Sequence, residues 1–166
     1  MKNQSKHLRR LTLAAMFAAL MFVSIIFIRV DNPAGGIIHP ADAVLYIAAI
    51  FLPLPYAMAA AVIGMAGANI AGFPGIAWAP ATAIIKPLMI IFFTHQGKIM
   101  QKRNIIALTF AFFINVTGYT IANQIIGFNG LATLPGLLVQ SSVATVLFVM
   151  LAVAMDSAKL KDRLEL

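Results

Sequence analysis

The sequence predicts an all-α integral membrane protein, a single membrane domain over residues 1–166 with six transmembrane helices and both termini cytoplasmic. Three observations predict it. Hydrophobic residues make up 61% of the chain and charged residues 10%, where a soluble domain carries about 25% charged residues. The apolar residues gather in runs close to the ~20 residues that a helix needs to cross a bilayer. The net charge is +7, but the basic residues sit in short clusters beside the apolar runs, which is the pattern of membrane topology and not of nucleic-acid binding. The chain has no cysteine, which excludes disulfides, thiolate catalysis and cysteine-ligated zinc.

The elements follow in order. The first helix is Leu11 to Ile28. A basic segment through Arg10 precedes it, so a cleaved signal peptide has to be weighed. Ala14, Ala15, Ala18 and Ala19 open the run, where a cleaved signal would need small residues at its end, so the helix is read as retained. Arg29 to Pro40, RVDNPAGGIIHP, is a glycine- and proline-rich loop. Residues 41–52 and 54–72 form the second and third helices, divided at Pro53-Leu54-Pro55 because proline cannot continue a helix. One helix of some 30 residues would overshoot a hydrocarbon core about 30 Å thick. The fourth helix, 76–94, contains Pro80 and Pro87, each expected to bend or interrupt it. A polar, basic loop at 95–104 follows, then a fifth helix at 105–126, a loop at 127–134 and a sixth helix at 135–156.

Topology follows from the basic clusters. Lys2, Lys6, Arg9 and Arg10 precede the first helix. Lys98, Lys102 and Arg103 lie between the fourth and fifth, and Lys159, Lys161 and Arg163 follow the sixth. Six crossings put all three clusters on the cytoplasmic side and leave Arg29 outside. Five would put the last cluster outside.

With depth assigned this way, the polar residues are lopsided. His39, Asp42, Tyr46, Asn69, Trp78, Thr82, Asn115, Tyr119, Asn123, Gln124, Gln140, Ser141, Ser142 and Thr145 lie from mid-membrane to the outer end, and the inner halves carry few. A polar side chain in lipid needs a partner or water, so the pattern predicts a hydrated cavity opening outward. Asn115, Tyr119 and Asn123 are spaced by four and share a helix face; Asp42 and Tyr46 share another. Lys86 lies near mid-depth, where a cation costs on the order of 2.5–3.5 kcal/mol; it either faces the bundle interior or a hydrated cavity, or belongs to a packed helix in which it snorkels or neutralises. Trp78, Lys86, Asn115, Tyr119, Asn123, Gln140, His39 and Asp42 are the candidate binding residues. Interhelical hydrogen bonding, at about 0.6 kcal/mol per contact, is the competing account of any one of them.

Small residues supply a second pattern. Ala14 and Ala18 pair at i,i+4, as do Ala15 and Ala19, and Ala60, Gly64, Ala68 and Gly72 make a similar face on the third helix. Such faces let helices approach closely in lipid, one within the bundle and the other toward a partner. No catalytic or metal motif appears: there is no G-x-S-x-G, H-E-x-x-H or P-loop, so a Walker-type ATPase is excluded. His39 and Asp42 could form a proton-transfer pair of a small intramembrane enzyme. A structural membrane module without a ligand is a further alternative.

A basic N-terminus leading into LTLAAMFAAL is followed by HPADAVLYIAAIFLPLPYAMAAAVIGMAGANIAG, WAPATAIIKPLM, GYTIANQIIG and LPGLLVQSSVATVLF. In order and spacing these segments resemble the S component, the substrate-binding membrane subunit, of an energy-coupling factor (ECF) type vitamin transporter. The resemblance covers most of the chain. It implies six helices in a bacterial-type cell membrane and a vitamin or precursor bound from outside. It also implies docking of the first helix's alanine face, Ala14, Ala15, Ala18 and Ala19, on a transmembrane T component joined to two cytoplasmic ABC-type ATPases. The subunit would topple in the membrane to release its ligand, and ATP would be used by the partners, with no cofactor in this chain. Asn69 and Asn123 stand where relatives commonly have Asp and Glu. That makes the site less acidic and favours a neutral heterocycle such as hydroxymethylpyrimidine or a pyridoxine-like B6 vitamer over cationic thiamin.

Overall fold

In the computed structural model, residues 2–31, 37–72 and 75–163 are described. Helix α1 is Lys2–Phe27, so it begins well before Leu11 and carries the basic segment as its first turns. A short antiparallel ribbon follows, β1 (Val30–Asp31) paired with β2 (Ile37–Ile38), in what the sequence marks only as a loop. Helix α2 is Ala41–Phe51. Leu52 turns extended and Pro53 precedes α3, whose second residue is Pro55, a position where no intrahelical donor is lost. The break therefore falls where Pro53-Leu54-Pro55 puts it.

Helix α3 runs Leu54–Ala71 and contains a π-helical stretch at Val62–Ala66. Gly64 lies within it, pressed against α1: a Cβ there would stand 2.5 Å from the Ala18 carbonyl oxygen. Helix α4, Gly75–Ile90, opens with a 3₁₀ turn at Gly75–Trp78. Its two prolines behave differently. Pro80 occupies the first turn, where an N–H has no helical acceptor, and only Pro87 is internal. The helix ends at Ile90, short of the 94 expected. Helix α5 is Lys102–Ile126 and ends on Gly127 at φ 101°. There the Phe128 N–H reaches the Asn123 carbonyl at 2.9 Å, a left-handed cap that suits glycine. Helix α6, Leu134–Ser157, and the short α7, Leu160–Arg163, complete the described residues.

Among the described residues, four helices have stretches long and apolar enough to cross a membrane: Lys6–Phe27, Leu54–Ala71, Lys102–Ile126 and Leu134–Ser157. The helices Ala41–Phe51 and Gly75–Ile90 are shorter. At a rise of 1.5 Å per residue α2 reaches only about 16 Å, roughly half the core, and nearly all of it is buried. It is a buried helix packed against α1, α3, α4 and α6.

Contacts between element ends fix the arrangement. His7 Nδ1 meets the Tyr56 hydroxyl at 2.6 Å, so α1 and α3 start at the same end. Lys161 Nζ donates to the Gly97 carbonyl at 2.9 Å, and Asp156 accepts the Ile99 and Met100 N–H groups at 3.1 and 2.8 Å, bringing the 91–101 loop to the end of α6. His95 lies in that loop; its imidazole is lowered by partial burial and by the nearby Lys161 and Arg10 cations. At the opposite end gather the ribbon, the α3–α4 connection and the α5–α6 loop.

Candidate functional site

The polar residues of α2, α4, α5 and α6 converge at this second end on a cavity of about 410 Å³, within the usual few hundred to a thousand Å³ of small-ligand sites. All eight candidate residues line it: His39, Asp42, Trp78, Lys86, Asn115, Tyr119, Asn123 and Gln140. Tyr46, one turn below Asp42, does not. It is wholly buried in an aromatic cluster, stacked on Phe93 at 5.4 Å and edge-on to Phe148 at 5.7 Å.

The deepest part of the wall is ionic. Lys86 Nζ donates to Asp42 Oδ1 at 2.6 Å and to Asn115 Oδ1 at 2.8 Å, and it lies 4.9 Å from the centre of the Tyr119 ring. Asp42 is 0% exposed and Lys86 3%. A buried cation in lipid therefore has a carboxylate, an amide and a ring face around it, the surroundings that make such a charge tolerable. Asn115 in turn donates to Ser141 Oγ at 2.8 Å. The second Asp42 oxygen accepts from Gln140 Nε2 at 3.3 Å. Gln140 Oε1 also accepts the His39 backbone N–H at 3.0 Å, and its Nε2 donates to the His39 carbonyl at 3.1 Å. Four helices are thus tied through side chains at one level.

His39 lies in the loop before α2 and not on the helix. Burial pushes its imidazole down to about 4, and the nearby Asp42 carboxylate offsets only part of that, so the ring is neutral near pH 7. Gln140 stands between His39 and Asp42, and both Asp42 oxygens are engaged by Lys86 and Gln140. This is a structural scaffold in which a carboxylate is held as a permanent acceptor, unlike a His–Asp pair aligned for proton transfer.

Nearer the mouth, Trp78 Nε1 donates to Asn123 Oδ1 at 2.6 Å, and Asn123 Nδ2 donates to Thr133 Oγ1 at 2.9 Å. The Trp78 indole packs on Phe128 at 5.1 Å. Asn69 Nδ2 donates to Thr82 Oγ1, which shares a hydrogen bond with the Tyr119 hydroxyl, both at 2.7 Å. Among the described residues no buried polar side-chain atom lacks a partner.

Several contributors escape the candidate set. Thr82 lies four residues after Trp78 and four before Lys86, a spacing that shares a helix face and could have found it. Asn69 lies on the outer half of α3 and joins the same hydrogen-bond chain. Arg29, Phe128 and Thr133 line the cavity from connecting segments, where no periodicity gives direction. Among the described residues no group of three His, Cys, Asp or Glu could hold a metal ion.

The four alanines of α1 divide. Ala18 is buried against Gly64 and Ala14 is partly buried, while Ala15 and Ala19 are exposed. Ala60 and Ala68 of α3 are buried as well. The small-residue face of α3 thus packs on α1 within the bundle.

Residues 5–157 match the protein family described as ECF-type riboflavin transporter, S component. No curated protein and no solved structure matches the chain.

Proposed function

Because the chain belongs to the family of ECF-type riboflavin transporter S components, we propose that the cavity is an outward-facing capture site for a neutral vitamin heterocycle. The family makes the protein a substrate-capture subunit of an ECF vitamin importer, integral to the cell membrane and without enzymatic activity of its own. It works with a transmembrane T component and ATPases. The observation that carries the proposal is the convergence of all eight candidate residues on one cavity whose inner charges are already paired with each other.

The ligand ring lies against Trp78, backed by Phe128, and its polar edge meets Asn123 and the Asn69–Thr82–Tyr119 chain. Those groups are already hydrogen-bonded, so ligand atoms use their remaining capacity: the second lone pair of an amide or hydroxyl oxygen, or the third Lys86 proton. A paired floor offers nothing to a charged ligand and favours hydroxymethylpyrimidine or a pyridoxine-like B6 vitamer. Riboflavin, which names the matched family, shares the neutral, planar, hydroxyl-bearing chemistry. The basic clusters put the cavity end outside and the 91–101 loop in the cytoplasm, with all six helices crossing or embedded. Docking on the T component falls to Ala15 and Ala19, the exposed members of the alanine set.

Trp78 is the sole tryptophan, so its fluorescence reports the cavity directly. Titration of the purified protein with riboflavin, pyridoxine, hydroxymethylpyrimidine and thiamin is expected to give saturable quenching by a neutral compound and none by thiamin. Mass spectrometry of the molecule retained through gentle purification names the ligand. No quenching by any neutral compound and no retained heterocycle would remove the proposal. Orientation is checked in the cysteine-free chain: Asn129→Cys is labelled from outside intact cells and Lys98→Cys is not.

A further inference from the structure

We propose that Asp42, by pairing with Lys86 in the cavity wall, sets the cavity's preference for uncharged ligands. This rests on the reading of the cavity as a vitamin site. Lys86 has three protons to donate. Two go to Asp42 and Asn115, the nitrogen stands 4.9 Å from the centre of the Tyr119 ring, and Lys86 borders the cavity. Lys86 can therefore meet a ligand. Asp42 also borders the cavity, but both of its oxygens are engaged, one by Lys86 and the other by Gln140. Its charge is therefore spent on cancelling that of Lys86.

The remaining lining supports the assignment. His39 is neutral, and Asn69, Asn115, Asn123 and Gln140 carry no charge. Arg29 lines the cavity from the exposed segment after α1. The deep charge is thus one cation and one anion held 2.6 Å apart. Selectivity is a difference between two affinities, and a site rejects a charged ligand by offering it no counter-charge after its water is lost. Removing one member of a buried pair leaves the other uncompensated. With Asp42 neutralised, an anionic ligand supplies the missing partner to Lys86 and a neutral one does not. With Lys86 neutralised, Asp42 repels anions.

The test measures calorimetric affinities of the protein in detergent for three matched pairs: pyridoxine with 4-pyridoxate, hydroxymethylpyrimidine with its phosphate ester, and riboflavin with FMN. Wild type is expected to bind a neutral member and to discriminate against its anion. In Asp42→Asn the anion-to-neutral affinity ratio rises by about tenfold or more, the scale of a lost buried partner. In Lys86→Gln it falls, and in the double variant Asp42→Asn/Lys86→Gln it returns to the wild-type value. A purely structural role for the pair would weaken both members equally and leave the ratio unmoved, which overturns the inference while the vitamin reading stands. A double variant that keeps the raised ratio overturns the inference in the same way. If Asp42→Asn does not fold, the opposite shift in Lys86→Gln decides. Wild-type protein that binds no member of the three pairs overturns the vitamin reading and this inference with it.

Discussion

The two ends of the bundle handle polar atoms in opposite ways. At the loop end, side chains cap backbone. Asp156 takes the N–H groups of Ile99 and Met100, Asn104 bonds the Thr94 N–H and the Ile99 carbonyl, and Lys161 bonds the Gly97 carbonyl. Between that end and the cavity sits the aromatic cluster of Tyr46, Phe93 and Phe148, whose rings pack directly on one another. At the cavity end, side chains bond mostly to other side chains on different helices and enclose a volume. Backbone capping fixes a loop and uses its partners up. Cross-helix bonding leaves hydroxyls and amides with spare capacity facing a space, which is what recognition needs. Polar residues in a membrane bundle are therefore informative about function when their partners are other side chains around a cavity.

The comparison assigns stability to one end and affinity to the other, and substitutions can break it. The largest effect is expected at the aromatic cluster. Phe148→Ala removes a fully buried ring and should cost about 3–5 kcal/mol, read as a lower unfolding midpoint in detergent, with ligand affinity of the folded protein unchanged. A matching loss of affinity would mean that the cluster shapes the cavity. Next comes Asp156→Ala, which orphans two N–H groups and should cost about 1–3 kcal/mol. Hydrogen exchange should accelerate in the 91–101 loop and stay unchanged around Trp78.

At the cavity the expected signature is reversed. Tyr119→Phe breaks the bond to Thr82, and Asn123→Ala breaks those to Trp78 and Thr133. Each should weaken ligand binding by about tenfold or more, on the order of 1–3 kcal/mol, with a smaller change in unfolding midpoint than Phe148→Ala. Normal affinity in both variants would show that these bonds hold helices together and that the ligand sits elsewhere.

Much of this was legible in the sequence because lipid penalises any polar atom without a partner. That penalty made the four-residue spacing of Asn115, Tyr119 and Asn123, and the buried position of Lys86, point inward. The partner of Lys86 was not legible. Asp42 lies 44 residues away, and nothing in either helix fixes their relative height. Tyr46 shares a face with Asp42 yet belongs to the aromatic cluster, because one helical turn separates cavity wall from closed core. Proline marks the end of a helix where it acts as a stop, as at Pro53. It misleads where it sits in a first turn, as at Pro80. The early start of α1 was hidden because basic residues mark the membrane boundary and do not end a helix.

The smallest effect on the isolated subunit, and the sharpest test of how it works with partners, lies on α1. Ala15 and Ala18 lie three residues apart on α1 with opposite surroundings. Ala18 is buried, and its backbone lies so close to Gly64 of α3 that a Cβ on residue 64 would stand 2.5 Å from the Ala18 carbonyl oxygen. Ala15 and Ala19 face outward on the same helix. In lipid there is little hydrophobic force between helices, so a partner helix is held by close backbone approach and many contacts of about 0.1–0.2 kcal/mol each. A tryptophan at an outward alanine holds that helix away and forfeits them together. Ala15→Trp and Ala19→Trp are therefore expected to leave ligand affinity and unfolding midpoint of the purified subunit nearly unchanged. They should abolish ATP-dependent uptake in vesicles reconstituted with the T component and ATPases. Ala18→Trp should instead lower the unfolding midpoint of the subunit alone, because it drives α1 off α3. Uptake that survives Ala15→Trp and Ala19→Trp would move the docking surface to another outward face. A destabilised Ala15→Trp would mean that this side of α1 also packs within the bundle, and the division between the two alanines would fail.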